Sequence, residues 1–551
     1  MKPFILADYP YYRDNPEMWK RKLLKLLSLG VDTVTFYIPW RHHLLNNKKY
    51  CFNSESDVQN RDVIGFLNII ADIGLHAIVK PGPFIHAEVA FGGLPDCCSP
   101  TYRNNIEAFR DQNGSPVLYE GLELPFPFDP VFKDMTKVWI DNVNKNVILP
   151  YSHPNGPIIG IQLGNEGIFS DIHKDADLYD YEKVLKAIGD TCPYLIYQSF
   201  FMFLRELMPA NIEYYVNLPA ANVSMNKDIR YTHWLSRVVP EEFLRINYGW
   251  THWYDTITEN RDSLKSAILA CKRYDGINLE YNGGFVWDSP IYKEASNFIF
   301  HAAFFLAAGS RGVCVYPGVA TDSWGETIQV SDDWLRENPD RIRYYAGPYG
   351  AECPITVDGN TTEKYFHLKK FFFYINYLSI NNFRNIPSSV IVIPKDIYKS
   401  HYYNSHAFNN WLDASIEYHI RAGKDFDLLI GDKTSFSEYE SVFFYEEELS
   451  NPSVFDNEIN REYYFFIKQN VNNANDYLIF VFSYDARISI EDILFEMPIL
   501  INMPPYSVMI MNIFNNELIS VYYNSKAASE AYLRYEKREI KINSESFISI
   551  Y

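Results

Sequence analysis

The chain has little cysteine and no long apolar run, and each of these features argues against one class of protein. Seven of its 551 residues are cysteine, an odd and scattered set that indicates reduced thiols rather than a disulfide framework. The longest apolar stretch, 298–309, is too short to span a bilayer and contains a histidine, so it predicts a buried helix. We therefore expect no membrane-spanning segment and no disulfide scaffold.

Basic charge is also scarce, because 50 Lys and Arg face 69 Asp and Glu, for a formal net charge of −19. Nucleic acids and anionic membranes select basic surfaces, so neither is an expected partner. The chain begins MKPFILAD, whose apolar part is too short for a secretory signal and predicts a first core strand. Together with the thiols, this start predicts a cytoplasmic protein. The sequence leaves the oligomeric state open, a homo-oligomer included.

Between residue 3 and about residue 315, short apolar runs alternate with amphipathic stretches. The stretch 18–30 has leucines on one face and lysines on the other and ends in Gly30, which is typical of a helix. Strands that alternate with helices predict a parallel sheet. Seven or eight such units predict an α/β fold, a (β/α)8 TIM barrel, whose active site lies at the carboxyl ends of its strands.

The pattern changes after about residue 375. A strand, a helix and two further strands predict a small α/β region, and the short β-rich runs that follow predict a C-terminal antiparallel β-domain. The predicted boundaries are 1–375 for the barrel, 376–458 for the α/β region and 459–551 for the β-domain.

Two glutamates occupy the positions expected of residues at the barrel mouth. Glu166 in GPIIGIQLGNEG and Glu280 in YDGINLEYNGGF each end a short apolar run that glycine and polar residues follow. Because they are far apart in sequence, they must come from different strands. Two carboxylates that face one pocket are the minimum for cleaving a glycosidic bond. The alternative for either glutamate is a structural ion pair with an Arg or Lys inside the barrel.

Five stretches resemble, in the correct order, segments of glycoside hydrolase family 35, the β-galactosidases. They are distributed along most of the first 375 residues: LADYPYYRDNPEMWKRKLLKLLSLGVDTVTFYIPW, KPGPFIHAEVAFGGLPDCC, GPIIGIQLGNEG, LEYNGGFVWD and ECPITVDGNTTEKYFHLKKF. The segment 231–257 is similar to part of the family 42 β-galactosidases, which belong to the same barrel clan. That second likeness implies a cleft edged by Trp234, Trp250 and Trp253, with ordinary packing as the alternative.

The family 35 resemblance implies a role for each matching residue. Glu166 would be the general acid/base and Glu280 the nucleophile of a retaining enzyme, with no metal and no cofactor. It also implies a sugar subsite lined by Tyr37, Ala87, Glu88, Asn165 and Tyr349.

Two further residues are candidates for substrate binding. His86 stands beside Glu88 and either contacts the sugar or serves as a structural hydrogen-bond donor. Trp324 follows the last barrel strand and is either a stacking platform or a residue packed at the rim. The adjacent pair Cys97–Cys98 lacks companions at the spacing of a zinc site, so no metal is expected there.

Several positions depart from the family pattern, and all are expected at the pocket wall. Lys80 and Phe84 replace an arginine and a tyrosine after the third strand, and Leu44 removes a carboxylate after the second. Gly164 stands where the family has a glutamate beside the acid, and Phe285 replaces a tryptophan after the nucleophile. The catalytic pair is unchanged, so the reaction type is better indicated than the sugar.

These features predict a retaining exo-β-glycosidase that removes terminal β-D-galactosyl or closely related residues from a carbohydrate. One alternative is a β-glycosidase for an amino sugar or another modified sugar. A second is a transglycosidase, in which a sugar hydroxyl replaces water. The alternative outside enzymes is a non-catalytic carbohydrate-binding barrel.

Overall fold

The computed structural model describes most of the chain. The described residues are 4–45, 49–55, 58–111, 113–169, 195–224, 226–237, 246–253, 256–258, 260–273, 276–285, 290–322, 325, 327–345, 347–394, 397, 406–431, 436, 438–445, 461, 463–494, 497–527 and 529–550.

The strands and helices follow one another in the order that the sequence predicts. The strands are β1 Ile5–Asp8, β2 Thr33–Tyr37, β3 His76–Lys80, β4 Leu118–Tyr119, β5 Leu122–Glu123, β6 Ile158–Gln162, β7 Glu213–Tyr215, β8 Leu218–Pro219, β9 Gly249–His252, β10 Ile277–Asn282, β11 Val313–Tyr316, β12 Phe383–Asn385, β13 Ser389–Ile393, β14 Asp427–Ile430, β15 Ser441–Phe444, β16 Tyr463–Asn470, β17 Asn473–Ser483, β18 Ile488–Leu494, β19 Met497–Met503, β20 Ser507–Phe514, β21 Glu517–Ser525, β22 Ala531–Tyr535, β23 Arg538–Ile542 and β24 Ser546–Ser549. The α-helices are α1 Pro16–Leu29, α2 Trp40–His43, α3 Val63–Asp72, α4 Pro130–Val143, α5 Leu149–Tyr151, α6 Leu195–Glu206, α7 Arg230–Arg237, α8 Arg261–Lys272, α9 Ala295–Ala308, α10 Asp332–Glu337, α11 Ile342–Tyr345, α12 Glu363–Tyr377 and α13 His406–Ala422.

Nine of the strands form one parallel sheet in the order β7-β6-β3-β2-β1-β11-β10-β9-β8. β7 and β8 are successive parts of one barrel position, because only two residues separate them. A bridge from Tyr215 to Asn247 joins β7 to the segment before β9, so the two ends of the order meet. The sheet is therefore a closed (β/α)8 barrel, as the sequence predicts.

Local sequence signals set the ends of the barrel helices. α1 begins at Asn15, whose side chain accepts the Glu17 N–H at 3.0 Å. It ends at Gly30, whose φ of 104° suits a residue without a Cβ atom. α3 begins in the same way at Asp62, which accepts the Gly65 N–H at 2.8 Å. These caps fix where each helix leaves and rejoins the barrel.

α9 is buried on every side from Asn297 to Ala308 because it lies between the barrel and the C-terminal sheet. Phe300 and Phe304 contact Phe482 of β17, with ring centroids 5.3 and 5.2 Å apart. On the opposite side, Phe305 packs edge-on against Trp250 of β9 at 4.7 Å. Trp250 is therefore a core residue and not part of the cleft edge. Among the described residues, no helix combines the length and apolarity that a bilayer crossing requires.

Two smaller units follow the barrel. β14, β13 and β15 form a parallel sheet, against which α13 packs through Tyr418 on Phe443. Two antiparallel sheets then enclose a core of their own, in the orders β12-β16-β17-β20-β21-β24 and β18-β19-β22-β23. The predicted sequence of barrel, α/β region and antiparallel β-domain is confirmed, while the three boundaries stay a prediction. β12 precedes the α/β region in sequence but joins the antiparallel sheet through β16.

Candidate active site

Four polar side chains meet at the carboxyl ends of the barrel strands. Asp8, Tyr37 and Lys80 are the last residues of β1, β2 and β3, and Glu280 lies in β10. Each is at most 2% exposed. Because parallel strands end at one edge, this cluster lies at the mouth of the barrel.

Glu280 is held at one of its two carboxylate oxygens. Its Oε1 accepts a hydrogen bond from the Tyr37 hydroxyl and lies 3.4 Å from Lys80 Nζ. Lys80 donates a shorter bond, of 2.8 Å, to Asp8 Oδ2, to which the Thr35 hydroxyl also donates at 2.9 Å. One buried ammonium is therefore shared by two buried carboxylates.

Burial and charge act in opposite directions on this cluster. Burial raises the pKa of Glu280, and the Asp8 carboxylate adds to the rise, while Lys80 and the Tyr37 hydrogen bond oppose it. Burial likewise raises the pKa of Asp8 against the pull of Lys80. Burial alone would lower the pKa of Lys80 and favour its neutral amine. The carboxylates of Asp8 and Glu280 raise that pKa by more, so Lys80 stays protonated.

Tyr37 also connects Glu280 to the segment that carries Glu166. The Tyr37 hydroxyl is 2.9 Å from Asn165 Oδ1, so its single proton is shared between an amide oxygen and a carboxylate. Glu166 follows directly, is 6% exposed and donates its N–H to Asn217 O at 2.8 Å. Its φ of 56° is unusual for a residue with a side chain, and such strain is often kept at functional sites. The structure thus brings Asn165 and Glu280 to one hydroxyl, and Glu166 is the next residue in the chain after Asn165.

The loop after β3 contains a run of left-handed residues. His86, Ala87 and Glu88 have φ of 52°, 53° and 49°, and the Val89 N–H donates to His86 O at 3.1 Å. Each such residue costs roughly 1–2 kcal/mol, so the run needs outside support. Arg13, which is fully buried, supplies it by donating from Nη2 to Ala87 O at 2.8 Å and Glu88 O at 2.9 Å.

The side chains of this loop have partners of their own. The Tyr349 hydroxyl donates to Glu88 Oε2 at 3.1 Å, and the Arg13 guanidinium lies 4.4 Å from the centre of the Tyr349 ring. His86 Nδ1 is 2.7 Å from the hydroxyl of Tyr119, which belongs to the hairpin of β4 and β5. Glu88 and Tyr349 therefore lie together, and the contact of each with a sugar stays a prediction.

The same hairpin supports the loop through Glu120. Its Oε2 accepts the Phe91 N–H at 2.6 Å, and its Oε1 accepts a hydrogen bond from Tyr345. Burial raises the pKa of Glu120 to about 7, although both hydrogen bonds oppose the rise. The charge at this support therefore changes near neutral pH.

The candidate aromatic residues fall into different environments. Trp253 is half-buried and packs edge-on against Tyr316, with centroids 5.4 Å apart. The Tyr316 hydroxyl is in turn 3.1 Å from that of Tyr349, which links Trp253 to the subsite residues. Trp234 is 1% exposed and serves the core. Trp324 lies outside the described residues.

Phe84, expected at the pocket wall, packs beneath the loop. It is 1% exposed and meets Tyr119 and Phe169 edge-on at 5.2 and 5.5 Å. A Cβ atom at Gly92 would lie 1.9 Å from its ring, so the aromatic residue and the glycine fit only as a pair. The phenylalanine therefore shapes the loop from behind.

Sequence reasoning did not name Asp8 or Arg13 as site residues, and it placed Lys80 only at the pocket wall. Asp8 and Lys80 end buried strands, as polar residues at a barrel mouth do, so that signal could have identified them. Arg13 comes from a segment without periodicity and carries no such signal, and the same holds for Tyr119 and Glu120 of the hairpin. In the part of the chain that the structure describes, no group of three His, Cys, Asp or Glu side chains could hold a metal ion.

Known proteins agree with this fold and with the N-terminal motifs. Residues 3–114 match the model of "Glycosyl hydrolases family 35". Beta-galactosidase-1-like protein 3 of Mus musculus is 24% identical over 403 residues, which are 71% of this chain and 49% of that protein. The chain thus spans about half the length of this curated relative.

Two shorter similarities involve proteins whose names state other activities. A beta-1,2-glucosyltransferase of Ignavibacterium album is 32% identical over 174 residues, 31% of this chain and 24% of that protein. An exo-beta-D-glucosaminidase of Thermococcus kodakarensis is 27% identical over 190 residues, 32% of this chain and 22% of that protein.

Solved structures share the whole architecture. A β-galactosidase from Bacillus circulans sp. alkalophilus has a TM-score of 0.56 at 10% identity, over 99% of this chain and 98% of its own. Gan42B, a GH42 β-galactosidase of G. stearothermophilus, has a TM-score of 0.55 at 10% identity, over 99% of this chain and 97% of its own. At such low identity these likenesses concern the fold alone.

The fold is that of a (β/α)8 barrel, and over residues 3–114 the chain is similar to glycosyl hydrolases family 35, as the sequence resemblance predicts. The matched segment contains Tyr37, Lys80 and the loop with Glu88, while Glu166 and Glu280 lie beyond it.

Proposed function

We propose that the protein is a retaining exo-β-glycosidase that removes terminal non-reducing β-D-galactosyl or closely related residues. The observation that carries this proposal is the arrangement around Tyr37. Its hydroxyl contacts Glu280 Oε1 and the residue directly before Glu166, so Glu280 and the segment that carries Glu166 meet at one mouth. A pair of carboxylates at one site is the equipment of glycoside hydrolysis.

In the first step, Glu280 attacks the anomeric carbon while Glu166 gives its proton to the glycosidic oxygen. The bond from the anomeric carbon to that oxygen breaks, and a covalent glycosyl-enzyme forms. Because Tyr37 and Lys80 both contact Oε1, we assign the attack to Oε2. In the second step, Glu166 takes a proton from water, which attacks the same carbon and releases the sugar with Glu280 restored.

Lys80 and Tyr37 have clear tasks in this reaction. The nucleophile must be ionised, and burial alone works against its charge. The ammonium and the hydroxyl compensate for the lost water at Oε1 and hold the carboxylate in one orientation. Glu88, which Tyr349 orients, is the group that we propose accepts hydrogen bonds from sugar hydroxyls and so selects among epimers.

Two alternatives keep the same catalytic chemistry but change either the sugar that is cleaved or the acceptor of the glycosyl group. An amino sugar would suit a pocket that keeps Glu88 beside His86, and a relative named exo-beta-D-glucosaminidase supports testing it. Transfer to a sugar hydroxyl in place of water has support from a relative named beta-1,2-glucosyltransferase. A binding-only barrel would have no use for the buried Lys80 beside Glu280, because binding does not need an ionised nucleophile. The cytoplasmic location is likewise a proposal, which rests on the odd and scattered set of cysteines.

A panel of aryl β-glycosides tests the proposal, with galactoside, glucoside, glucosaminide and mannoside compared in wild type and Glu280→Gln. We expect aryl release from the galactoside, lost by several orders of magnitude in the variant. A 2-deoxy-2-fluoro galactoside should leave a stable adduct on the peptide that contains Glu280, detected by mass spectrometry. An adduct elsewhere, or equal turnover by the variant, would reject the assigned nucleophile. Added acceptor sugars separate transfer from hydrolysis by their products.

A further inference from the structure

A second cavity lies at the opposite end of the barrel from the candidate active site. It has a volume of about 240 Å³ and is lined by residues directly before β1 and β11, that is, at the amino ends of the strands. The barrel, the antiparallel sheet and the α/β region all contribute to it, through Lys272, Lys468 and Asp427 respectively. The cavity is thus a junction of three parts of the fold.

The cavity is rich in positive charge although the chain carries a net charge of −19. Four of its lining residues are cationic, and one, Asp427, is acidic. The Lys272 side chain is 3% exposed and Lys468 is 5% exposed, so two of the charges lie in poorly screened surroundings. Arg311 and Arg384 stand nearer to solvent.

The two buried ammonium groups are fixed in place by one polar network. Lys272 Nζ lies 2.5 Å from Asp425 Oδ1, and Lys468 Nζ donates to Asn385 Oδ1 at 2.5 Å. The Asn385 amide donates to Asp425 Oδ2 at 2.7 Å, which joins both halves of the network. Even with Asp425 counted beside Asp427, the cations outnumber the carboxylates.

A structural explanation covers only part of this charge. Lys272 lies in the last turn of α8 and Arg311 follows the end of α9, where cations stabilise the partial negative charge of a helix end. Arg384 and Lys468 belong to strands, where no such charge exists. A cation that stabilises a helix end needs no cavity beside it. The helix ends therefore explain neither Arg384 and Lys468 nor the space between the four cations.

We propose that this junction binds a small molecule bearing an oxyanion, a phosphate or a carboxylate, no larger than a monosaccharide derivative. Arginine forks bind such groups through paired hydrogen bonds, and buried lysines add charge without further desolvation cost to the fold. The volume lies below the usual range for drug-sized ligands, which limits the size of the occupant. Because three parts of the fold meet there, an occupant stabilises their arrangement. The proposal stands independently of the proposed glycosidase activity.

Thermal unfolding and calorimetric titration of the full chain test this site. The probes are inorganic phosphate, a hexose 6-phosphate, a hexuronate and the corresponding neutral hexose, each at constant ionic strength. We expect saturable binding and a rise in Tm with at least one oxyanion probe. The double variant Arg311→Gln with Arg384→Gln should weaken that binding at least tenfold, while Lys137→Gln with Lys145→Gln, which removes the same two charges at exposed positions, should not.

The outcomes separate the possible ligands and can reject the site. Preference for a phosphate or for the uronate identifies the oxyanion, and binding that persists in Glu280→Gln places it away from the candidate active site. A shift that sodium chloride reproduces, equal binding of the neutral hexose, or binding that the double variant leaves unchanged would each overturn the proposal.

Discussion

Lys80 stands between two carboxylates, with Nζ 2.8 Å from Asp8 Oδ2 and 3.4 Å from Glu280 Oε1, and all three side chains are at most 3% exposed. Such a buried triad is little affected by salt, so its own charges set the proton affinity of Glu280. The ammonium therefore influences the charge of the proposed nucleophile through its contacts with the two carboxylates, and we treat Lys80 as a positioning residue.

Lys80→Met should lower kcat/KM about 100-fold or more near neutral pH, the scale for losing one electrostatic contact at a reacting group. Without the ammonium, the pKa of Glu280 rises further, so the acid limb of the pH–rate profile moves to higher pH. Lys80→Arg keeps a cation there and should leave the limb near its wild-type position. An unmoved limb in Lys80→Met, measured on folded protein, would show that the ammonium does not keep Glu280 ionised.

Arg13→Met should raise KM about tenfold or more with a smaller change in kcat. The substitution leaves the carbonyls of Ala87 and Glu88 without the guanidinium that holds the left-handed run, and an unmet buried acceptor costs about 1–3 kcal/mol. Steady-state kinetics and Tm should be measured together. Arg21→Met, an exposed residue of α1, is the matched control. A lowered Tm with an unchanged KM would mean that the run does not form part of the subsite.

Glu120→Gln should flatten the pH dependence of KM near neutrality. The pKa of Glu120 is about 7, so the wild-type carboxyl becomes ionised as pH rises through that value and accepts the Phe91 N–H more strongly. The loop is then held more firmly, and KM should fall. The amide still offers an oxygen to Phe91 but has no charge to gain. KM measured from about pH 5.5 to about pH 8.5 checks this, and equal slopes in both proteins would contradict it.

His301→Gln should make stability less sensitive to acid. His301 is fully buried, its Nε2 accepts the Ile257 N–H at 3.0 Å, and burial lowers its pKa to about 3 from an ordinary 6.5. As pH falls below 6.5, the unfolded chain binds the proton first, so this stabilising contribution is full above that pH and declines toward about 3.

At about pH 5 the loss from this one histidine is about 2 kcal/mol relative to neutral pH. Urea unfolding at both pH values should show that the variant loses about that much less than wild type. Asn297→Ala, which removes a neighbouring buried polar side chain of α9 without removing a titratable group, is the control and should keep the wild-type acid sensitivity. If the free energy of unfolding of His301→Gln fell between the two pH values as much as that of wild type, the ring would not be kept neutral by burial.

The sequence predicted the fold well because each barrel unit carries its own local signals. Periodicity, the caps at Asn15 and Asp62, and the glycine after α1 are all visible without the structure. Glu166 and Glu280, whose roles stay a prediction, were named as candidate site residues from their place at strand ends. Arg13 was not named, because its role depends on two carbonyls more than seventy residues away in sequence. The left-handed run was equally hidden, since neither His86 nor Glu88 is a residue type that signals positive φ.

The complete burial of α9 from Asn297 to Ala308 has a consequence for how the chain unfolds. Phe300 and Phe304 belong to the same continuous core as Phe482, so no water-facing seam divides the barrel from the C-terminal sheet at this helix. Removing the residues after the barrel would leave these rings bare and the catalytic unit prone to aggregation. The β-domain therefore functions as part of the barrel's outer shell, and heating should melt the two in a single transition.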